Sequence, residues 1–287
     1  MIENDGKHIR DVGSALKWAA AQLDRVAERP YLEAERLLSA LVQKERVALL
    51  AHPEWRLRKV ETRLFRDAVL RRASGVPLPH LLGRVEFMGL EFVVTPDVLV
   101  PRPETELLVE RGTAWLKEHA VNTVVDVGTG SGCIAAALAV AIPSVRILGL
   151  DLSAEALSVA RTNVLRHNLG RRVALVRGDL LTPIRAPIDL IVSNPPYVAS
   201  SEWTQLPSVV RQEPRMALLA GPEGLDVIER LLRQAQRRLA CGGCMLIEIG
   251  ETQGEAVRTL ARTAFRNARI SILPDLAGKD RVLQVLR

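Results

Sequence analysis

The sequence predicts an α/β protein in two parts: a small helical bundle, then a doubly wound, mostly parallel sheet, with a linking β-hairpin between them. Three observations carry this. The chain has 287 residues, about two domains' worth at roughly 150 residues each. Residues 1–80 have helical periodicity and few strand-forming runs. Beyond residue 122, short β-rich runs alternate with helical stretches, the pattern of a parallel sheet covered by helices. The expected boundaries are therefore 1–80 for the helical domain, which docks the substrate, 81–100 for the hairpin linker, and 101–287 for the sheet domain.

In the first part, Ala34, Leu37, Leu38, Leu41 and Val42 recur at helical spacing and make one face apolar. Leu64, Phe65, Ala68 and Val69 repeat the pattern. Pro30 and Pro53 fall between such segments, where proline starts or stops helices. From Arg56 to Arg72 stand seven basic residues (Arg56, Arg58, Lys59, Arg63, Arg66, Arg71, Arg72) against Glu61 and Asp67. A solvated helix face is the plain reading; a docking patch for a negatively charged macromolecule is the sharper one.

Val85 and Phe87, then Leu90, Phe92, Val93 and Val94, flank Met88-Gly89 and predict the hairpin. Pro96, Pro101 and Pro103 stiffen the chain after it. Strands are expected at Val124–Val127, Arg146–Leu150, Val173–Val176, Ile188–Val192, Met245–Ile249 and Ile270–Leu273. Helices are expected at Ala154–Asn168 and Leu225–Leu239. Ligands of such sheets bind beyond the carboxyl ends of the strands.

Composition excludes several classes. Hydrophobic residues at 48% and charged residues at 25% belong to a folded chain, not a disordered one. The excess of 39 basic over 33 acidic residues leans, weakly, toward an acidic or nucleic-acid-associated partner, though a dedicated nucleic-acid binder concentrates such charge on one face. Cys133, Cys241 and Cys244 are too few for a disulfide framework. The first thirty residues carry no signal-peptide pattern. The apolar stretch Cys133 to Ile142 is about half the length of a membrane span. A reducing, cytoplasmic setting is expected.

The chemistry concentrates at two motifs. Asp126-Val-Gly128-Thr129-Gly130-Ser131-Gly132 follows the first strand of the sheet and opens a helix. Its glycines let the backbone turn tightly and approach a ligand. Asp151, 19 residues past Gly132, ends the next strand, where a carboxylate accepts from both hydroxyls of a ribose. The third glycine of a dinucleotide fingerprint is replaced by Cys133. The compact loop suits S-adenosyl-L-methionine better, with Asp126 near its positively charged end. Asp179 and Leu180, after the third strand, stand where they would flank an adenine; a plain surface aspartate is the competing reading for Asp179.

The second motif is Asn194-Pro195-Pro196-Tyr197, at the end of the fourth strand. Two prolines fix two φ angles and remove two donors, so the segment displays carbonyls. The side-chain carbonyl of Asn194 and the backbone carbonyl of Pro195 can both accept from one –NH₂ group, with Tyr197 as a flat surface beside it. Amide nitrogen is a poor nucleophile; two acceptors favour its pyramidal form and aim its lone pair at a sulfonium methyl. A strand-ending turn is the plain alternative for this motif, and a tight turn for the glycine loop.

Cys241-Gly-Gly-Cys244 is expected to be a glycine turn between a helix and a strand, since no further metal ligands stand nearby. His167 is expected to cap a helix end. The segment Val198–Glu223 reads either as a lid over the site or as an ordinary loop.

These motifs resemble the HemK family of protein-glutamine N5-methyltransferases. The matching stretches are Val98-Leu-Val-Pro-Arg-Pro-Glu-Thr-Glu106, Asp126–Ile134, Asp189–Tyr197, Glu213-Pro214 with Ala217-Leu218, Gly224-Leu225, Glu248-Ile-Gly250 and Asp280-Arg-Val282. The resemblance implies a seven-stranded Rossmann-like methyltransferase sheet. It implies a cofactor, S-adenosyl-L-methionine, held by Gly128–Gly132, Asp151 and Asn194 with Leu180 in the place of a ring-packing residue. It implies a substrate glutamine, in the Gly-Gly-Gln loop of class I peptide chain release factors, held by Asn194–Tyr197. Arg102-Pro-Glu104-Thr105 would line the cofactor or substrate side, with a salt bridge as the competing role for Glu104. Two departures stand out: Pro79-His80 where the family often has Gln-Tyr, and Leu180 where it often has an aromatic. The alternative function is a nucleic-acid amino-methyltransferase acting on adenine, cytosine or guanine. No base-flipping or RNA-binding module is recognisable, which sets nucleic acid below release factors as the direct substrate. A non-catalytic adaptor is opposed by the intact motifs.

Overall fold

A computed structural model describes residues 9–121 and 123–287. The first eight residues of the expected helical domain lie outside the described ones. The chain divides into two compact units: residues up to Gly83 together with Ser208–Gln212, and Arg84–Pro207 together with Glu213–Arg287.

The first unit contains α1 (Val12–Leu23), α2 (Pro30–Val42), α3 (Arg46–Ala51), α4 (Lys59–Ala73) and α5 (Leu78–Leu82). Asp11 opens α1 by accepting from the Ser14 N–H at 2.8 Å, satisfying one of the helix's orphan donors. Pro30 opens α2, where its missing N–H costs nothing. The shared core is Leu16, Leu23, Leu37, Leu38, Phe65 and Val69. Leu64 was expected on that face and is instead exposed, because the buried stripe of α4 runs through Phe65 and Val69.

The basic run divides by environment. Arg72 is buried, paired with Glu33 at 2.6 Å and donating to the Val26 carbonyl at 3.0 Å. Arg66 lies 5.9 Å from the Trp18 ring centre. Arg56, Arg58, Lys59, Arg63 and Arg71 are exposed, with Arg58 pairing to Glu61 at 2.7 Å.

The second unit opens with the hairpin, β1 (Arg84–Phe87) and β2 (Leu90–Val93). Met88 and Gly89 both take positive φ (51° and 71°), as a two-residue type I′ turn requires. Phe87 and Phe92 meet edge to face and are buried in the core of this unit. The Asn163 amide accepts from the Val93 N–H at 2.7 Å and donates to the Val93 carbonyl at 2.9 Å. The hairpin is thus fastened to the sheet domain. His167 ends the helix Ala154–Arg166 as expected, and its Nε2 lies 3.0 Å from the Glu91 carbonyl.

Seven strands form the sheet: β3 (Val124–Val127), β4 (Ile147–Asp151), β5 (Val173–Arg177), β6 (Ile188–Ser193), β7 (Leu239–Glu248), β8 (Arg269–Pro274) and β9 (Asp280–Leu286). Their spatial order is β5-β4-β3-β6-β7-β9-β8. The first five run parallel and β9 is antiparallel to both of its neighbours. Helices α6 (Glu106–Glu118), α7 (Cys133–Ala141) and α8 (Ala154–Arg166) share a core with Val124, Ile147, Leu190 and Leu246. Helices α9 (Asp226–Ala235) and α10 (Gly254–Ala264) share the opposite core with Val125, Ile191, Ile247 and Leu283. Successive strand residues point to opposite faces, so with helices on both sides the central strands β3, β6 and β7 are hydrophobic over most of their length.

Two expectations are corrected. Strand β7 starts at Leu239 rather than Met245, so Cys241-Gly-Gly-Cys244 lies within the strand. Gly242 has φ 78°, and the register against β6 shifts there, so the glycines kink a strand instead of joining two elements. The seventh strand, β9, was not among the named runs. No helix among the described residues is long and apolar enough to cross a membrane.

Candidate active site

The carboxyl ends of β3, β4, β5 and β6 surround a cavity of about 310 Å³. It lies where the sheet's connections diverge, with β4 on one side of β3 and β6 on the other.

The loop after β3 is shaped by Gly128, Gly130 and Gly132, at φ 72°, 56° and 79°. The N–H groups of Gly128 and Thr129 both bond the Leu150 carbonyl at 2.8 Å, tying the loop to the end of β4. Gly128, Thr129, Gly130 and Ser131 line the cavity. Gly132 stands back from it, where an added Cβ would lie 3.3 Å from the Ala160 backbone; there glycine permits close packing of α7 on α8.

Asp126 lies beneath the loop, fully buried and not among the cavity-lining residues. Its Oδ2 accepts from the Thr129 hydroxyl at 2.6 Å and the Ala135 N–H at 3.2 Å. Its Oδ1 is buried without a partner. Burial pushes this carboxyl up to about 7, against those two hydrogen bonds.

Asp151 lines the cavity, with Oδ2 accepting from the Gly130 N–H at 2.8 Å and Oδ1 from the Ser153 N–H at 2.9 Å. A carboxylate offers about four acceptor positions, so two remain for a ligand. Asp179 and Leu180 also line the cavity. Asp179 is ion-paired to Arg230, and Leu180 holds a left-handed φ of 52°, rare for a branched side chain.

At the end of β6, Asn194 and Pro196 line the cavity while Pro195 and Tyr197 stand behind it. The Asn194 Nδ2 donates to the Thr105 hydroxyl at 3.1 Å, which leaves Oδ1 as the end not engaged by Thr105. The Tyr197 carbonyl accepts from Gln253 Nε2 at 2.9 Å, and its phenol reaches Glu248 Oε1 at 3.5 Å. Burial and the nearby Glu248 push that phenol up to about 12.

From the expected Arg102–Thr105 stretch, Thr105 lines the cavity, joined by the preceding Val98 and Pro101. Arg102 instead pairs at 2.5 Å with Glu213, whose side chain is fully buried and also accepts from the Val100 N–H at 2.9 Å. Glu104 is exposed. The segment 198–223 is a series of short 3-10 turns, and Pro214, Met216, Ala217 and Leu219 from it reach the cavity. Of the two readings of this segment, a lid over the site or an ordinary loop, these contacts place part of it against the cavity, though its apolar residues carry no chemical signal that would single them out in sequence. Sequence reasoning missed the Arg102–Glu213 pair, whose members lie 111 positions apart.

This sheet, with a glycine loop after β3, an acidic end to β4 and a carbonyl-displaying motif after β6, defines a Rossmann-like methyltransferase. Residues 103–212 match the methyltransferase small domain and residues 14–83 the PrmC N-terminal domain. Among solved structures, a ribosomal protein L11 methylase from Lactobacillus delbrueckii subsp. bulgaricus shares the fold (TM-score 0.50, 22% identity, 68% of this chain and 83% of that one). So does the 16S rRNA N2 G1207 methyltransferase of T. thermophilus, solved with AdoMet and guanosine (TM-score 0.52, 19% identity, 71% and 49%).

The sequence relatives are more specific. The release factor glutamine methyltransferase of Moorella thermoacetica is 45% identical over 263 residues, spanning 91% of this chain and 92% of its own length. That of Bacillus subtilis is 39% identical over 286 residues, spanning 97% and 98%. The chain belongs to the release factor glutamine methyltransferase family.

Proposed function

We propose that this protein transfers the methyl group of S-adenosyl-L-methionine to the side-chain amide nitrogen (N5) of the glutamine in the Gly-Gly-Gln loop of class I peptide chain release factors. The observation that carries the reading is Asn194: it borders the cavity, with its –NH₂ end spent on Thr105 and its carbonyl end left to accept.

The cavity suits the cofactor in shape and chemistry. Asp151 keeps acceptor positions for ribose hydroxyls, Leu180 supplies an apolar surface for the adenine ring, and Asp179 stands beside it. Gly128, Thr129, Gly130 and Ser131 bring backbone to the cavity wall without bulk. When bound, the cofactor supplies an electrophilic sulfonium methyl.

The protein's own part is to position the nucleophile. Asn194 Oδ1 and the Pro195 carbonyl accept the two hydrogens of the glutamine –NH₂, drawing its lone pair out of conjugation and toward the methyl. Pro195 and Pro196 hold that segment rigid, and Tyr197 backs it. As the new N–C bond forms, one of the two N–H hydrogens becomes acidic and is lost to water; the amide oxygens of Asn194 and Pro195 orient it but are too weakly basic to keep it. Water is kept from the methyl by the apolar wall of Val98, Pro101, Met216 and Leu219. The names of the relatives support a release factor, rather than a nucleic-acid amine, as the substrate.

The test is a methyl-transfer assay with S-adenosyl-L-methionine and a purified class I release factor, followed by peptide mass spectrometry. The expected result is one added methyl on the Gly-Gly-Gln glutamine, absent with Asn194→Ala. Cofactor binding with no transfer to that glutamine would overturn the substrate assignment.

A further inference from the structure

A side-chain amide ends in an –NH₂ and an oxygen of nearly equal size. Shape alone therefore does not decide which end of Asn194 faces the cleft. The choice matters, because the reversed amide would point donors at a substrate that itself offers donors. The contact with Thr105 does not decide it either: a hydroxyl can accept from Nδ2 or donate to Oδ1. Something must hold the Thr105 proton on its far side.

Glu248, the last residue of β7, stands there. It is 1% exposed and follows Ile247, which pairs with Ser193 in the sheet, so it ends its strand beside Asn194; the hydroxyl of Thr105, itself 2% exposed, is the neighbour that most opposes the burial of its carboxyl. The same carboxyl lies 3.5 Å from the Tyr197 phenol, and its Oε2 is buried with no hydrogen-bond partner. An ionised carboxylate accepts and cannot donate. It draws the Thr105 proton toward itself, turns the hydroxyl lone pairs to Asn194, and so makes Nδ2 the end that Thr105 receives. One buried acid thereby reaches both ends of the Asn-Pro-Pro-Tyr segment.

We infer that Glu248 is a positioning residue for methyl transfer, fixing through Thr105 the orientation of the Asn194 amide; this rests on the reading of Asn194 as the acceptor of the substrate's amide hydrogens. The charged and titratable neighbours facing Glu248 are Arg281 from β9, Glu104 from the turn before α6, and Tyr197. Burial raises its carboxyl to about 7, Glu104 adding to that and Thr105, Arg281 and Tyr197 opposing it. Once protonated, Glu248 can donate to Thr105 and release the amide to turn over. The catalytic rate therefore depends on Glu248 being ionised.

The test compares kcat, KM, cofactor affinity and the pH profile for wild type, E248Q, T105V, T105S and the E248Q/T105V double variant, with a release factor as substrate. E248Q and T105V are each expected to lower kcat on the order of tenfold to a hundredfold, with cofactor affinity kept. T105S recovers the activity that T105V loses. The double variant is no slower than the slower single one, since both break the same relay. Wild-type kcat rises through an acid limb centred near 7, and E248Q lacks that limb. Wild-type kcat in E248Q, losses that multiply in the double variant, or a T105S no better than T105V would overturn the inference. If E248Q does not fold, the T105V and T105S pair decides it, and full activity in T105V overturns it. Failure of the wild type itself to methylate a release factor, with cofactor binding intact, overturns the functional reading beneath it.

Discussion

Asn194 and Thr105 meet across the floor of the cavity, amide nitrogen to hydroxyl oxygen at 3.1 Å, although 89 positions separate them in the chain. The contact joins the end of β6 to the turn before α6. It links the Asn-Pro-Pro-Tyr motif physically to the Pro-Arg-Pro-Glu-Thr-Glu segment.

In the proposed reaction, removing the Asn194 side chain takes away an acceptor that acts in the transition state while leaving the proposed cofactor contacts of Asp151 and the glycine loop in place. Asn194→Ala is expected to lower kcat about 10²- to 10³-fold, the loss seen when one preorganised polar contact to a transition state is deleted. Cofactor affinity and thermal midpoint should change little by comparison. Steady-state kinetics beside calorimetric titration separates the two, and a variant that turns over near the wild-type rate would refute the role.

In the proposed reading Asp151 acts earlier, at binding, as the acceptor for the ribose. Both of its oxygens already accept backbone N–H groups, from Gly130 and Ser153. Asp151→Asn replaces one acceptor oxygen by a donor, so one part-buried N–H loses its partner at a cost of up to about 1–3 kcal/mol. It also removes an acceptor that the ribose needs. The expected outcome is a cofactor Kd raised by about tenfold or more, at 1.4 kcal/mol per factor of ten, with a lowered thermal midpoint. Unchanged affinity would break the ribose assignment.

Much of this was legible in the sequence because a parallel sheet buried on both faces leaves plain marks. Val124–Val127 and Ile188–Val192 are short β-rich runs, each broken by a single aspartate (Asp126, Asp189), and the structure puts strands on them. Strand β9, between β7 and the edge strand β8, escaped because Asp280 and Arg281 open it and Gln284 interrupts its apolar residues. The cavity's own motifs were legible for the same reason that they are useful: glycines and prolines constrain backbone wherever they occur. The pairings behind them were not. Nothing local to Arg102 points to Glu213, and nothing local to Asn194 points to Thr105, since both contacts exist only once the sheet has brought distant segments together.

Gly224 was noted in sequence only as part of a resemblance, and the structure supplies its reason. Its φ is 73°, and a Cβ there would lie 2.2 Å from the Tyr197 carbonyl oxygen. That oxygen also receives Gln253 Nε2. Gly224→Ala must therefore push the Tyr197 peptide, which follows Pro196 directly. The left-handed backbone costs about 1–2 kcal/mol and the overpacking about 1–3 more. Calorimetry should find a midpoint lower by several degrees, at about 2–4 °C per kcal/mol, and kcat should fall together with it. A variant as stable as wild type would mean the Tyr197 segment yields freely.

Asp126 sets a pH dependence of stability with a definite sign. Its carboxyl is lifted from an ordinary 3.8 to about 7, first by burial, with Asp151 adding to it. In the unfolded chain it ionises near the ordinary value, so between the two pKa values folding takes up a proton. Stability from this group is full below pH 4, falls as pH rises, and has reached its floor a little above 7. Glu248, raised to about 7 by burial, tilts the same way, so the measurement must be a difference. Asp126→Asn keeps an acceptor for Thr129 and Ala135 and cannot ionise. From pH 4.5 to pH 8, denaturant titrations should find the variant gaining on wild type by about 3 kcal/mol, the part of the shift that falls in this window at 1.36 kcal/mol per pKa unit. A difference that stays constant with pH, or one that moves in the variant's favour as pH falls, would mean that Asp126 folds ionised and that its unpartnered Oδ1 is reached by solvent.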